Sequence, residues 1–452
     1  MPQPQNVIII VADSLRFDSV YAGNNILLPY LAANGLQYTQ ARSGGCWTLP
    51  ATASLFTGLM PHQHGATSQT RKIYDNVPTL AEQMTLLGYD SRQVTANVAT
   101  TDIFGLHRGF AEVHRIWKMV PAKFNLFQKI LGIVGKPRLR HMLLSKDLLS
   151  MKMSEDLEAT KSWLQFTHLD TFNQARKIIA QNEASNKKSF LFINLMESHF
   201  PYHVAPSFQL AAPGFFNKFR EAAGLFHLVN QTFYKTGQLQ IKDNMLQHFK
   251  HRQRTSWELI APAINQFAEE MHKDRNTMLI FCADHGENFG EQNWLYHFSN
   301  VTEAGNHVPL FILNPYQNHA ATIDTEVSTK DLYHTILATC GGNNPGASLC
   351  TEPQASIPVM QSYWYNNHGK TLPQYRFNQI CYVNSGNRYL YREGNWYTAP
   401  ASRFTETETD FMPVPQNANP LYDCIDNVSL RNQMLQIFSD FLAFSQKIGT
   451  GK

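Results

Sequence analysis

The chain has 452 residues, of which 43% are hydrophobic and 16% charged, so it can bury a large core and has the balance of an ordinary folded protein. A formal charge of +3 is too small to point to nucleic acid. Six cysteines (Cys46, Cys282, Cys340, Cys350, Cys381, Cys424) include no C-x-x-C pair. That argues against a disulfide-stapled module and makes reduced thiols the expectation. The opening Met-Pro-Gln-Pro-Gln has no basic region, and no run of 18 apolar residues follows. The expectation is a soluble, cytoplasmic protein.

In chain order, the apolar run Val7 to Ala12 predicts a buried parallel strand that stops at Asp13. L-P-Y-L-A-A-N-G predicts a helix ended by Gly35, and W-T-L-P-A-T-A-S-L-F-T-G a turn entering a helix that stops at Gly58. T-L-A-E-Q-M-T-L-L-G-Y repeats the helix-plus-glycine form, and a strand, S-R-Q-V-T-A-N, follows. Residues 115–146 carry Arg115, Lys118, Lys123, Lys129, Lys136, Arg138, Arg140 and Lys146 without an acidic residue. Such a basic-apolar stretch is either a helical insertion with a solvated face or a peripheral contact with an anionic membrane. Residues 150–185 and 205–252 read as helical, lid-like insertions, so the inserted regions span about 115–185 and 205–252. K-S-F-L-F-I-N-L-M (188–196) predicts another buried strand. The amphipathic helix 257–271 leads into the strand M-L-I-F-C-A, which delivers Asp284 and His285, and V-P-L-F-I-L predicts one more strand.

This βαβα order predicts a doubly wound α/β core over residues 1–375. Short aromatic strands and a final helix near 428–447 predict a smaller C-terminal subdomain, 376–452. In open α/β sheets ligands bind at the carboxyl ends of strands. Two strands therefore bring Asp13, Asp284 and His285 to one sheet edge, the raw material of a metal site. An aspartate after a strand also serves as a helix N-cap, and that reading stays open at either position.

Between these strands lies G-G-C-W-T-L-P-A-T-A-S-L-F-T-G-L-M-P-H-Q-H-G. It resembles the C-x-P-S-R-A-S-L-L-T-G signature of the sulfatase family of the alkaline phosphatase superfamily. N-L-M-E-S-H-F-P-Y, A-D-H-G-E-N-F-G-E, T-K-D-L-Y-H-T-I-L and L-Y-D-C resemble further family motifs in the right order. The resemblance implies a sulfatase-like, mostly parallel sheet with helices on both faces and a small C-terminal α+β subdomain. It puts Thr48 at the nucleophile position and His199, His297 and His307 in the substrate-contacting region, with His199 and His297 as candidates for proton transfer.

The departures alter the expected chemistry. Family sulfatases need a Cys or Ser that is oxidised to formylglycine. Thr48 cannot undergo that change, Cys46 stands two positions too early, Thr52 stands where the arginine would be, and Ser14 replaces a second aspartate. The set Asp13, Thr48, Asp284 and His285 is similar to the one-metal, threonine-nucleophile site of lipoteichoic acid synthases and phosphoethanolamine transferases. By that resemblance the expectation is a metal-dependent hydrolase or transferase of phosphate esters working through a Thr48 intermediate. The cofactor is one divalent ion, with Mn or Zn favoured over Mg or Ca because an imidazole joins the oxygen ligands. The partner is a small-molecule or lipid-linked anionic ester. A sulfuric ester hydrolase with an unusual nucleophile and a non-catalytic anion binder are the alternatives. Among the neighbours, His62 and His64 read as structural turn residues, Glu287 and Glu291 as loop-fixing, Trp47 as a pocket wall or packing, and Arg16 and Arg42 as surface ion pairs or anion guides.

Overall fold

The computed structural model describes residues 3–22, 25–120, 167–200, 202, 243–291, 294–297, 300–317, 319–343, 346, 348–350, 357–364, 377–401 and 412–448. The main sheet has eight strands: β1 Asn6–Ala12, β2 Leu36–Arg42, β3 Tyr89–Thr95, β4 Glu112–Arg115, β5 Lys188–Leu195, β6 Thr277–Cys282, β7 Leu310–Leu313 and β8 Ala321–Ser328. Their spatial order is β8-β2-β7-β6-β1-β5-β3-β4. β1 pairs in parallel with β5 and β6, and β3 with β4 and β5, while β7 runs antiparallel between β2 and β6.

Every residue of β1 and of β6 is buried, as expected for central strands covered on both faces. Each Ile or Val so buried contributes about 1.5–3 kcal/mol relative to exposure. Helices His168–Ala184 and Asp243–His272 pack on one face, against β5 and β6 respectively. Helices Thr48–Thr57, Leu80–Leu86 and Asp331–Thr339 pack against one another on the opposite face. The fold is therefore a mixed α/β architecture with one dominant, mostly parallel sheet.

Three expected boundaries move, two of them in the inserted regions. Residues 168–184 form a 17-residue core helix whose buried Phe172, Ala175, Ile178 and Ile179 face the sheet, so the inserted region near 115 does not extend to 185. The helix before β6 begins at Asp243, inside the stretch read as insertion. The basic segment enters β4 and a short helix, Ile116–Met119. Residues 121–166 and 203–242 lie outside the described residues.

The C-terminal sheet is antiparallel, with strands Val359–Ser362, Gln379–Asn384, Asn387–Arg392, Asn395–Pro400 and Met412–Pro413. It thus starts before residue 376, because Val359–Ser362 pairs with Gln379–Asn384. Ser385 and Gly386 both take positive φ, 51° and 75°, which matches the turn twist that a two-residue hairpin favours. Helix Val428–Ile448 lays Met434, Phe441 and Phe444 against this sheet.

A buried ion cluster ties the two sheets together. Glu303 receives Arg42 of β2 through both carboxylate oxygens at 3.0 Å and Arg388 of the C-terminal sheet at 3.2 Å. Burial disfavours the charge of Glu303, but Arg42, His307 and Arg388 outweigh it and hold the carboxyl well below the ordinary range. Removing one partner of a buried cluster leaves an uncompensated charge and costs about 3–5 kcal/mol. Glu303→Gln is expected to lose stability of that order in urea titrations at neutral pH. Stability from a depressed carboxyl is present above its unfolded pKa and lost in acid, so the deficit of the variant should shrink as pH falls below about 4. An unchanged unfolding midpoint at neutral pH would remove this role.

Candidate active site

Four strand ends build the site. Asp13 follows β1, Asn97 lies two residues beyond β3, Asn194 is the penultimate residue of β5, and Asp284 and His285 follow β6. The register aligns Val11 with Cys282 and with Asn194, and Asn194 with Thr95, so these side chains emerge at one level of the sheet edge. A Cβ at Gly286 would run into the carbonyl oxygen of Ala304, so only glycine lets the strand turn so close to the 303–306 helix.

Asp13, Asp284 and His285 are all buried, and one ligand atom of each lies within 4.8 Å of the others. His285 Nε2 stands 3.5 Å from Asp284 Oδ2 and 3.8 Å from Asp13 Oδ1. Among the described residues, neither His285 Nε2 nor Asp284 Oδ2 has a hydrogen-bond partner. Orphaned buried polar atoms are costly, and here they converge with a third oxygen. Two carboxylates and an imidazole whose Nδ1 is engaged by the Gly286 carbonyl at 2.8 Å form a suitable donor set for a divalent cation.

Burial opposes ionisation of Asp13, but the imidazoles of His199, His285 and His297 and the Asn97 hydrogen bond offset it, so this carboxyl titrates below its ordinary value. Asp284 moves the other way: burial and then the Asp13 charge push it well above. Two carboxylates sharing a dry site cannot both ionise cheaply without a cation between them.

Ser14 cross-links the pair. It adopts φ 59°, an uncommon conformation for a residue with a side chain. Its N–H donates to Asp284 Oδ1 at 3.2 Å and its hydroxyl to Asp13 Oδ1 at 3.1 Å. The serine that stands in place of a second aspartate thus orders the other two carboxylates.

Thr48 is the first residue of helix Thr48–Thr57, with its side chain free of any capping role, since the N-cap is Trp47. The Asn97 amide connects it to Asp13, reaching Thr48 Oγ1 at 3.5 Å and Asp13 Oδ2 at 2.6 Å. Trp47 packs edge-on against Phe104, their ring centres 6.2 Å apart.

A column of imidazoles stands over the ligands. The ring centre of His297 lies 4.4 Å from that of His285 and 5.1 Å from that of His199. Burial drives His297 and His285 down to about 3, so both rings are neutral near pH 7. Glu287 fixes His297 through Nδ1 at 2.9 Å and accepts the Tyr202 hydroxyl at 2.7 Å. Burial pushes Glu287 up to about 7. Asn97 carries no motif in the sequence, whereas Ser14 follows Asp13 directly and Asn194 and Tyr202 open and close N-L-M-E-S-H-F-P-Y; the sequence does not show the hydrogen bonds by which these four side chains order Asp13, Asp284 and Glu287.

Other expected residues lie elsewhere. His307 spends both ring nitrogens on structure, Nδ1 on Glu303 at 3.3 Å and Nε2 on the Thr39 carbonyl at 2.8 Å, and its ring stacks on Phe17. It therefore offers no free nitrogen for a substrate, and the sequence-based placement is corrected. Arg16 and Arg42 are buried rather than on the surface. Arg16 binds Asp18 at 2.7 Å and Glu291 at 2.6 Å, locking the loop after β1 to the loop after β6. His64 is held by Ser54 at 3.1 Å and by the Ala66 N–H at 3.0 Å, and His62 by Gln361 at 3.0 Å, both in the structural roles expected.

The sequence model of the family named Sulfatase matches residues 5–342. The chain belongs to the sulfatase family. Among curated proteins, "Arylsulfatase K" of Canis lupus familiaris is 30% identical over 130 residues, which are 27% of this chain and 23% of that protein. The match therefore spans about a quarter of that relative. Among solved structures, the phosphonate monoester hydrolase of Agrobacterium radiobacter superposes with a TM-score of 0.62 at 17% identity, covering 98% of this chain and 96% of its own. A protein in the alkaline phosphatase superfamily from Vibrio parahaemolyticus superposes with a TM-score of 0.57 at 15% identity, covering 99% and 89%. At these identities the superpositions establish a shared fold, and this sulfatase-family member carries it from β1 through its C-terminal sheet. Among the described residues no helix is long and apolar enough to cross a membrane.

Proposed function

We propose that this chain is a hydrolase or transferase of phosphate esters, with Thr48 as its nucleophile and one divalent cation as its cofactor. The observation that carries this reading is the buried Asp13–Asp284–His285 cluster, with two orphaned ligand atoms, one amide group away from the Thr48 hydroxyl. A cation held by Asp13, Asp284 and His285 beside Thr48 supplies, when bound, Lewis-acid stabilisation of the ionised hydroxyl and of charge on the transferring group. Mn²⁺ or Zn²⁺ suits a set containing one imidazole better than Ca²⁺ does.

The residues then divide the proton work. Thr48 Oγ1 attacks phosphorus while its proton passes to an imidazole of the His199–His297 pair. The phosphorus–oxygen bond to the leaving alcohol breaks, and that alcohol departs with the proton. Water or an acceptor alcohol next attacks phosphorus, the Thr48–phosphorus bond breaks, and the proton of the attacking group returns to Thr48. Glu287 and Tyr202 keep His297 in one orientation throughout.

A sulfuric ester hydrolase is the second reading, favoured by the arylsulfatase likeness over 130 residues. The two separate on a panel of aryl phosphate monoester, phosphodiester and sulfate ester, assayed after metal stripping and again with Mn²⁺, Zn²⁺ or Mg²⁺. The expected result is metal-dependent cleavage of phosphate esters, with one phosphoryl group on the Thr48 peptide after an acid quench. Sulfate-selective turnover would replace the first reading with the second. Silence on all three esters despite tight metal binding would replace both with a non-catalytic anion binder.

A further inference from the structure

Asn97 is buried two residues beyond β3, and both polar atoms of its side chain are engaged. Its Oδ1 accepts the Ala99 N–H at 2.8 Å and so caps the short turn Val98–Thr100. That bond decides which way the amide faces: Nδ2, with two hydrogens, must point into the site. One hydrogen goes to Asp13 Oδ2 at 2.6 Å, the other reaches Thr48 Oγ1 at 3.5 Å. Asn194 also donates to Asp13 Oδ2, at 3.3 Å. Two amides thus hold that oxygen, and Asp13 Oδ1 is left facing His285.

We propose that Asn97 is a positioning residue that sets the Thr48 oxygen and the ligand oxygen of Asp13 in register with each other. The inference rests on the reading of Thr48 as the nucleophile. A neutral hydroxyl at 3.5 Å gains little from the amide, whereas an oxygen gaining negative charge draws the donor in, because hydrogen bonds to charged acceptors are shorter and roughly twice as strong. The interaction is therefore worth more as the reaction proceeds than in the ground state, and its loss falls on kcat rather than KM. By orienting Asp13, the same amide also supports metal affinity, as outer partners of ligands do.

Asn97→Ser keeps an acceptor for the Ala99 N–H, because serine caps turns and helices about as well as asparagine, yet it has no donor long enough to reach Thr48. Asn97→Asp keeps both shape and cap but replaces the donors with a carboxylate beside Asp13. The expected result for Asn97→Ser is a kcat about a hundredfold to a thousandfold lower, the scale of losing one preorganised donor. KM should stay within a few-fold, the melting temperature unchanged, and Mn²⁺ affinity by calorimetry about tenfold weaker. Asn97→Asp should lose kcat at least as far while binding Mn²⁺ no more weakly than wild type, since it adds negative charge at the site.

A purely turn-capping role predicts wild-type kcat and Mn²⁺ affinity in both variants, and that outcome would overturn the proposal. Loss of folding in both would overturn it too. If Thr48→Ala stays active, the nucleophile assignment is at fault, while the Mn²⁺ titrations still judge Asn97 against Asp13. If Thr48→Ala is dead and Asn97→Ser is fully active, the positioning inference alone is wrong.

Discussion

Thr48→Ala is expected to lower turnover of the best ester substrate by about a thousandfold or more, equal to roughly 4 kcal/mol of transition-state stabilisation. The same change should leave folding nearly untouched. Thr48 opens its helix without capping it, and among the described residues its hydroxyl has one long hydrogen bond, to Asn97. Alanine at the first helical position costs little, and Asp13, Asp284 and His285 remain in place to take up metal. The comparison that isolates the chemistry is therefore kcat against metal affinity, with the former collapsing and the latter moving by less than about tenfold. Thr48→Ser is expected to recover much of the rate, because it restores a hydroxyl on the same carbon. A Thr48→Ala variant that hydrolyses esters at the wild-type rate would leave Thr48 a helix-opening residue, and water would then be the attacking group.

The strands that bear this chemistry were legible in the sequence because burial on both faces leaves a plain signature. Val7–Val11 and Met278–Cys282 are unbroken apolar runs that stop at Asp13 and shortly before Asp284. The candidate site around them was legible only in part. Asn97 lies two residues beyond a strand whose pattern, Y-D-S-R-Q-V-T, is polar, and its value depends on alignment with Asn194 across a sheet pairing nearly a hundred residues long in sequence. Periodicity carries no information about such a pairing. His307 misled for a related reason. A histidine before V-P-L looks like a substrate contact until the buried Glu303 appears beside it, held by arginines from two different sheets. Long-range electrostatic partners of this kind are set by topology, and a single sequence does not encode them locally. Helix His168–Ala184 shows the converse. Its mixed polar pattern resembles an insertion, and its fit is apparent only once its buried stripe meets β5 and β3.

Asp284→Asn is expected to change the sign of its effect on stability according to whether metal is present. In the metal-free protein Asp284 is buried against Asp13 and its carboxyl is pushed well above the ordinary range. A carboxyl with a raised folded pKa costs stability as pH climbs above its unfolded value, because the folded state then retains a proton that the unfolded state releases. Asparagine has the same shape, carries no proton to lose, and can keep the Oδ1 bonds from the Ser14 and His285 N–H groups at 3.2 and 2.9 Å. The metal-free variant should therefore melt at or above the wild-type temperature at neutral pH, with a flatter pH dependence. With metal the order reverses. Wild type gains about 2.7 kcal/mol at a metal concentration a hundred times its Kd. The variant has lost a ligand, and since removing even an outer partner costs ten- to a hundredfold in affinity, the loss here should reach at least about a hundredfold. Calorimetric metal titrations across pH supply the matching check. Binding to wild type must expel the Asp284 proton, so apparent affinity should rise with pH up to the raised pKa and then level off, whereas Asp284→Asn should show no such proton release. A variant that melts lower than wild type by the same margin with and without metal would make Asp284 a structural carboxylate and take the cation out of this site.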